Sequence, residues 1–123
     1  MSTAGTKAVD LEKRFISFAG SVVKLCPKLR KSIEGRHISS QILRSSTATA
    51  ANYAEARGAE SRSDFIHKLR VVLKELNETA VWFQLIVEVG LLPPELTAAI
   101  VAENQELCRI IAASIKTARQ SDQ

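Results

Sequence analysis

Two histidines each follow a carboxylate by three residues, the spacing that metal-binding helical bundles use. Glu34 precedes His37, and Asp64 precedes His67. A dimetal bundle supplies a Glu-x-x-His from each of two helices and a further Glu from each of the other two. The first pair straddles an expected turn and the second begins an expected helix, so the pairs lie at opposite ends of a bundle, about 30 Å or more apart. The sequence therefore predicts no metal site and no cofactor.

Carboxylates on two expected helices could support acid–base catalysis, but a structural role fits them better. We expect them to form a hydrogen-bonded polar layer that fixes the register of the bundle. The predicted members of this layer are Ser45, Asn52, Glu55, Glu75 and Glu78. The serines lack a strand-to-helix nucleophile elbow, and the five glycines form no phosphate-binding loop. The sequence thus predicts that the protein is not an enzyme.

Positive charge is the remaining chemical feature. Residues 1–74 contain 14 Lys and Arg against 6 Asp and Glu, whereas residues 75–123 contain 3 against 7, so the formal charges are +8 and −4. Such asymmetry favours a polyanionic partner or electrostatically steered assembly. Lys and Arg bind phosphates through charge and hydrogen bonds without reading base sequence. The predicted contacts to RNA or DNA are Arg36, Arg44, Arg57, Arg62, Lys68, Arg70 and Lys74.

Further basic residues lie on the first expected helix, at Lys24, Lys28, Arg30 and Lys31. Aromatic side chains that could stack on bases are scarce, since Tyr53 and Trp82 are the single Tyr and Trp. Binding should therefore be directed at the backbone, sensitive to salt and weakly specific. The alternative interpretation of the same charges is a solvated surface.

Apolar residues at spacings of three and four predict four helices. Helix one spans about Val9–Ile33 and contains Pro27, which should bend or weaken it, and Gly35 follows in the turn. Helix two spans about Ile38–Arg57, turns to small residues on its inner face, and ends before Gly58.

The other two helices carry clearer boundaries. Helix three spans Ser63–Val89, with Ser61 or Ser63 as N-cap, and its inner stripe is Phe65, Leu69, Val72, Leu76, Ala80, Phe83 and Val87. Helix four begins at Pro93 and ends near Arg119. Short connections between long helices indicate an all-α, antiparallel up-down-up-down four-helix bundle.

The C-terminal half of helix three is apolar around most of its circumference. Such a helix is either fully buried or faces another subunit. The sequence therefore predicts a homo-oligomer, with an interface that includes Trp82, Leu85, Ile86 and Val89.

Length and composition are those of one globular domain, residues 1–123, with flexible ends at about 1–7 and 120–123. No signal peptide or membrane span is evident, and Cys26 and Cys108 lack metal or redox spacing. These features predict a cytoplasmic protein with two reduced thiols and no membrane partner.

The middle of the chain resembles the bacterial four helix bundle protein family, also called the 23S rRNA intervening-sequence protein family. The resemblance rests on five segments: Leu43-Arg44-Ser45, Ala51–Ala56, Ala59–Leu69, Leu73-Lys74-Glu75 and Glu78–Trp82. It extends over nearly the whole chain, although Ala54, Gly58 and Ala80-Val81 depart from the family pattern.

This resemblance implies a left-handed up-down bundle that often assembles as a homopentamer. A related branch, the accessory variability determinants of diversity-generating retroelements, works beside a reverse transcriptase and binds nucleic acid through a basic surface. The resemblance carries no catalytic residues. Two functions stay open at this point, an oligomeric accessory protein that binds nucleic acid and a scaffold that binds a partner protein. An enzyme or metal protein is the weakest alternative.

Overall fold

A computed structural model describes the backbone of residues 3–121 and the side chains of residues 7–121. In this range the chain forms four α-helices and no strand: α1 (Thr3–Leu29), α2 (Ile33–Arg57), α3 (Arg62–Glu88) and α4 (Pro94–Gln120). Each helix packs against the next along the chain, and a weaker contact between α1 and α4 closes the bundle. The predicted all-α, antiparallel four-helix bundle is confirmed. The ends at 1–7 and 120–123, predicted to be flexible, lie partly outside the described residues.

The predicted bounds of the third and fourth helices lie within one residue of those observed. Ser61 caps α3 by accepting a hydrogen bond from the backbone N–H of Asp64 at 3.0 Å. Gly90 follows α3 with a φ of 72°, a conformation that glycine adopts without steric penalty. Pro94 occupies the first turn of α4, where its missing N–H removes no helical hydrogen bond.

The predicted boundary between the first two helices is wrong. The prediction ended helix one near Ile33 and placed Gly35 in the turn, but α1 ends at Leu29 and α2 already begins at Ile33. The side chain of Ser32 caps α2 by accepting a hydrogen bond from the N–H of Gly35 at 2.9 Å. A Cβ on residue 35 would lie 1.7 Å from the carbonyl oxygen of Leu29. The glycine therefore permits a close approach of the two helix ends and does not interrupt a helix.

The first helix also differs from its prediction at its start and at its proline. It begins at Thr3 and not near Val9. It continues through Pro27 without a break and ends two residues later.

The interior contains two clusters of buried side chains, one towards each end of the bundle. Phe15 and Tyr53 stack with ring centroids 5.1 Å apart in the first cluster, and Phe83 and Ile86 anchor the second. Between these clusters the buried side chains are small and polar, notably Ser45, which is fully buried. This small interior brings α2 close to α3.

The inner stripe of α3 runs differently from the predicted one. Its buried residues are Leu69, Val72, Leu76, Thr79, Phe83 and Ile86. A step of four residues rotates the stripe by about 40° in one direction and a step of three by about 60° in the other, so only an alternation holds one face. The predicted stripe took two successive steps of four, which carried it to Val87, a residue that is 40% exposed. Ile86, predicted for the oligomer interface, is instead 0% exposed in the core.

Candidate nucleic-acid interface

Three of the predicted phosphate contacts form ion pairs within the protein. Arg44 contacts the carboxylates of Glu75, at 3.2 Å, and Glu78. Two further pairs lie in the bundle, Lys68 with Glu55 at 3.0 Å and Arg57 with Glu12 at 3.1 Å. The hydrogen bond to Glu78 raises the pKa of Arg44, and the hydrogen bond to Glu55 raises that of Lys68. These cations already have anionic partners, which weakens their case as phosphate ligands.

The Arg44 pairs belong to a polar chain along the seam between α2 and α3. Trp82 donates from Nε1 to Oε2 of Glu78 at 3.1 Å, and its ring meets His37 edge-on with centroids 6.2 Å apart. The hydrogen bond from Trp82, together with Arg44, lowers the pKa of Glu78. Trp82 is therefore partly buried and hydrogen-bonded within its own chain. The exposed fractions of Leu85 and Val89 are 38% and 55%.

The predicted interior polar layer does not form as a unit. Ser45 is buried and lies 2.8 Å from the hydroxyl of Thr79, but Asn52 donates to the carbonyl of Ala48 and Glu55 is exposed. The other two predicted members, Glu75 and Glu78, turn to Arg44 at the rim of the seam. Because small residues bring α2 and α3 together, the interior has no room for long carboxylates. The run of small residues in helix two was the sequence signal for this.

The remaining four predicted phosphate contacts differ in their surroundings from the three ion-paired residues. Arg36, Arg70 and Lys74 are exposed and form no ion pair with any described residue. Arg62 reaches across to the end of α4, where it contacts the carbonyl of Ala118 at 3.5 Å and the hydroxyl of Ser121. Arg36, Arg70 and Lys74 are thus better placed to bind a phosphate than the other four predicted contacts, whose side chains already contact groups within the protein.

The densest group of exposed cations lies at the junction of α1 and α2. We call it the turn cluster, and its members are Lys24, Lys28, Arg30, Lys31 and Arg36. None of them has an ion pair among the described residues, and Glu34 is the single acid between residues 13 and 54. The part of this cluster on α1 extends less than about 10 Å along the helix axis. The prediction nominated Arg36 alone from this group, although the scarcity of acids was visible in the sequence.

Thiols and imidazoles are dispersed in the bundle. Cys26 is buried and donates to the carbonyl of Ser39, while Cys108 lies on α4 beside Asn104. No three or more His, Cys, Asp or Glu side chains within the described range group as metal ligands would. None of the helices between residues 3 and 121 combines the length and apolar character of a membrane span.

Comparisons with known proteins place the chain in a family. No curated protein matches it. A solved structure of a protein of unknown function from the S23 ribosomal protein family of Bacteroides thetaiotaomicron VPI-5482 is 34% identical, with a TM-score of 0.83. The alignment covers 89% of this chain and 98% of that one. The profile of the family described as 23S rRNA-intervening sequence protein matches residues 7–113. The chain belongs to the 23S rRNA-intervening sequence protein family.

Proposed function

We propose that the protein binds the phosphate backbone of RNA or DNA through the turn cluster, as a non-enzymatic, oligomeric accessory protein of the cytoplasm. The observation that carries this proposal is the concentration, at one end of the bundle, of five exposed cations that form no ion pair with any described residue. Arg70 and Lys74 on α3 are likewise exposed and form no ion pair with any described residue. The family description, which names an intervening sequence of rRNA, supports a nucleic-acid context.

Electrostatics favours the turn cluster over the ion-paired residues. A phosphate that approaches Arg44 or Lys68 must compete with a carboxylate that already accepts its hydrogen bonds. A phosphate that approaches Lys28 or Lys31 displaces only water and counterions, and the release of counterions drives binding at low salt. Affinity should therefore depend on the turn cluster and fall steeply as salt is raised.

Two triple variants with equal losses of charge test this proposal. Lys28, Arg30 and Lys31 are replaced by Gln in one variant, and Arg44, Arg57 and Lys68 in the other. Binding of nuclease-treated protein to labelled structured RNA and to duplex DNA is measured across a salt series. The first variant should lower the salt slope for duplex DNA by about 2–3 units, at about 0.9 unit per lost phosphate contact, and the second by less than about 1 unit.

The paired design separates a defined surface from general charge attraction. Surface ion pairs contribute about 0–1 kcal/mol each, so both variants should fold, which circular dichroism checks. Equal losses in the two variants would show that binding follows net charge, and the turn cluster would lose its assignment. No binding by the parent protein at low salt would overturn the proposal as a whole.

A second candidate function, a scaffold for a partner protein, rests on exposed apolar residues. Val81, Leu85 and Val89 line one face of α3 at steps of four and are 57%, 38% and 55% exposed. We propose that the same face forms the interface of a homo-oligomer, and the family resemblance suggests that this oligomer is a pentamer. Leu85→Asp should then lower the mass in light scattering, with Ala112→Asp as the control, because it adds the same charge at an exposed position of α4. A native mass for Leu85→Asp would remove this face from the interface.

A further inference from the structure

A large apolar side chain lies among the cations of the turn cluster. Ile33, the first residue of α2, is 74% exposed, whereas the other exposed large apolar side chains of the described range are 38–58% exposed. It belongs to neither of the two buried clusters of the bundle. Its side chain therefore adds little to the packing of the core, and a polar residue could occupy the same position with little loss of stability.

Cations lie close to Ile33 on the helix and in the preceding turn. Arg36 follows it by three residues, which places the two side chains beside each other on the surface of α2. Arg30 and Lys31 precede it by three and two residues, so their Cα atoms lie within about 11 Å and 8 Å of its own. Glu34 is adjacent in sequence, but consecutive residues of a helix do not face each other. Ile33 is thus an apolar centre within a basic surface.

The backbone that carries Ile33 is held in place on both sides. Ser32 caps the first turn of α2 by accepting a hydrogen bond from the N–H of Gly35 at 2.9 Å. A Cβ on residue 35 would lie 1.7 Å from the carbonyl oxygen of Leu29, so the end of α1 lies directly against this turn. A branched side chain on such a fixed turn is stiff, and it loses little conformational freedom when a partner covers it.

An exposed isoleucine between cations is the combination that duplex-bending proteins use. Single exposed apolar residues are common on protein surfaces, so the exposure of Ile33 identifies a site only together with its setting. Proteins that kink a duplex insert apolar wedges, isoleucine among them, between neighbouring base pairs, while Arg and Lys contact the adjoining backbone. The members of the turn cluster include no aromatic residue on which single-stranded bases could stack. The chemistry therefore favours a duplex with a step that can open.

We propose that Ile33 inserts into the base stack of a bound duplex, so that the turn cluster selects duplex RNA whose stack is already interrupted, as at a bulge. Arg30, Lys31 and Arg36 then hold the phosphates on either side of the opened step. An intact duplex must lose stacking before the side chain can enter, whereas a bulge has already lost it. This inference rests on the proposed function and adds to it the structural class of RNA that is bound.

Two RNAs with the same number of phosphates test the selection. One is a duplex with a two-nucleotide bulge, and the other carries the same two nucleotides as a single-stranded overhang. Binding of the whole, nuclease-treated protein is measured by fluorescence anisotropy across a salt series. We expect the bulged RNA to bind at least about tenfold more tightly, with an equal salt slope because the phosphate contacts are the same. A fluorescent base analogue beside the bulge should change its emission as Ile33 enters the stack.

Matched variants separate insertion from charge and from folding. Ile33→Ser should abolish the preference for bulged RNA while the salt slope stays unchanged, because no cation is lost. Ile33→Leu keeps a large apolar side chain and should keep the preference. Ile16→Ser makes the same change at a side chain that is 58% exposed on α1, about 20 Å from the end of that helix, and should change neither value. Circular dichroism checks that each variant is folded.

The outcomes distinguish this inference from the proposed function on which it rests. Equal affinity of the parent protein for the two RNAs would overturn the insertion of Ile33 and leave the phosphate-binding surface standing. A preference that Ile33→Ser retains, or that Ile16→Ser also loses, would overturn it in the same way. Absence of binding to either RNA at low salt would overturn both proposals.

Discussion

Replacing Gly35 with alanine should destabilise the protein, although alanine is the better helix former. The residue lies in the first turn of α2, where alanine gains about 1 kcal/mol over glycine in intrinsic helix propensity. The added Cβ, however, would lie 1.7 Å from the carbonyl oxygen and 2.9 Å from the carbonyl carbon of Leu29. Real Cβ contacts essentially never fall below 3.0 Å, so the ends of α1 and α2 must separate by more than 1 Å.

Two losses follow from this separation. Forced displacement in a packed region costs about 1–3 kcal/mol. Movement of residue 35 also strains the hydrogen bond from its N–H to the hydroxyl of Ser32, and loss of an N-cap costs about 1–2 kcal/mol. After the gain in propensity is subtracted, the free energy of unfolding should fall by about 1–4 kcal/mol. For a chain of this length the melting temperature should fall by roughly 10 °C at the middle of that range.

Urea unfolding followed by circular dichroism measures the change, at one fixed protein concentration because assembly affects stability. Gly20→Ala in α1 is the matched control. A Cβ there meets nothing within 4 Å, so this variant should gain up to about 1 kcal/mol. If Gly35→Ala proves as stable as the parent while Gly20→Ala shows the expected gain, the close approach of Leu29 to residue 35 does not exist.

Two further predictions concern α3. Ile86→Ala should lower the free energy of unfolding by about 3 kcal/mol because its side chain is 0% exposed, whereas Leu85→Ala, at 38% exposure, should change it by less than about 1 kcal/mol. Equal losses in urea unfolding would contradict the assigned faces of the helix. For Glu78, hydrogen bonds from Trp82 and Arg44 hold the pKa below its ordinary value of 4.5. Its contribution to stability is therefore complete above that value and disappears as the pH falls through the lower pKa of the folded state. The stability difference between the parent and Glu78→Gln should shrink in this acidic window, and a constant difference would refute the role of these hydrogen bonds.

Periodicity was sufficient for the fold but not for every boundary. The starts of α3 and α4 could be placed from sequence because Ser61 caps the first turn of α3 and Pro94 lacks the N–H that a first turn leaves unpaired. The junction of α1 and α2 could not be placed from sequence, because the role of Gly35 depends on the position of Leu29 in the folded protein. A glycine that permits a close approach and one that ends a helix look alike in sequence.

The candidate site was harder to predict than the fold because ion pairing between helices is a tertiary property. Arg44 and Lys68 looked like surface cations in sequence, yet α3 and α2 present Glu75 and Glu55 to them.

The ion pairs also explain why the free cations concentrate where they do. Four cations pair with carboxylates of a neighbouring helix, as Arg14 of α1 does with Glu103 of α4 at 2.7 Å. The junction of α1 and α2 lies at one end of the bundle, and Glu34 is the single acid between residues 13 and 54. Arg30 and Lys31 therefore keep their charge available while cations in the seams do not. Of the 14 basic residues in the first 74 positions, the five of the turn cluster thus lie together at one end of the bundle.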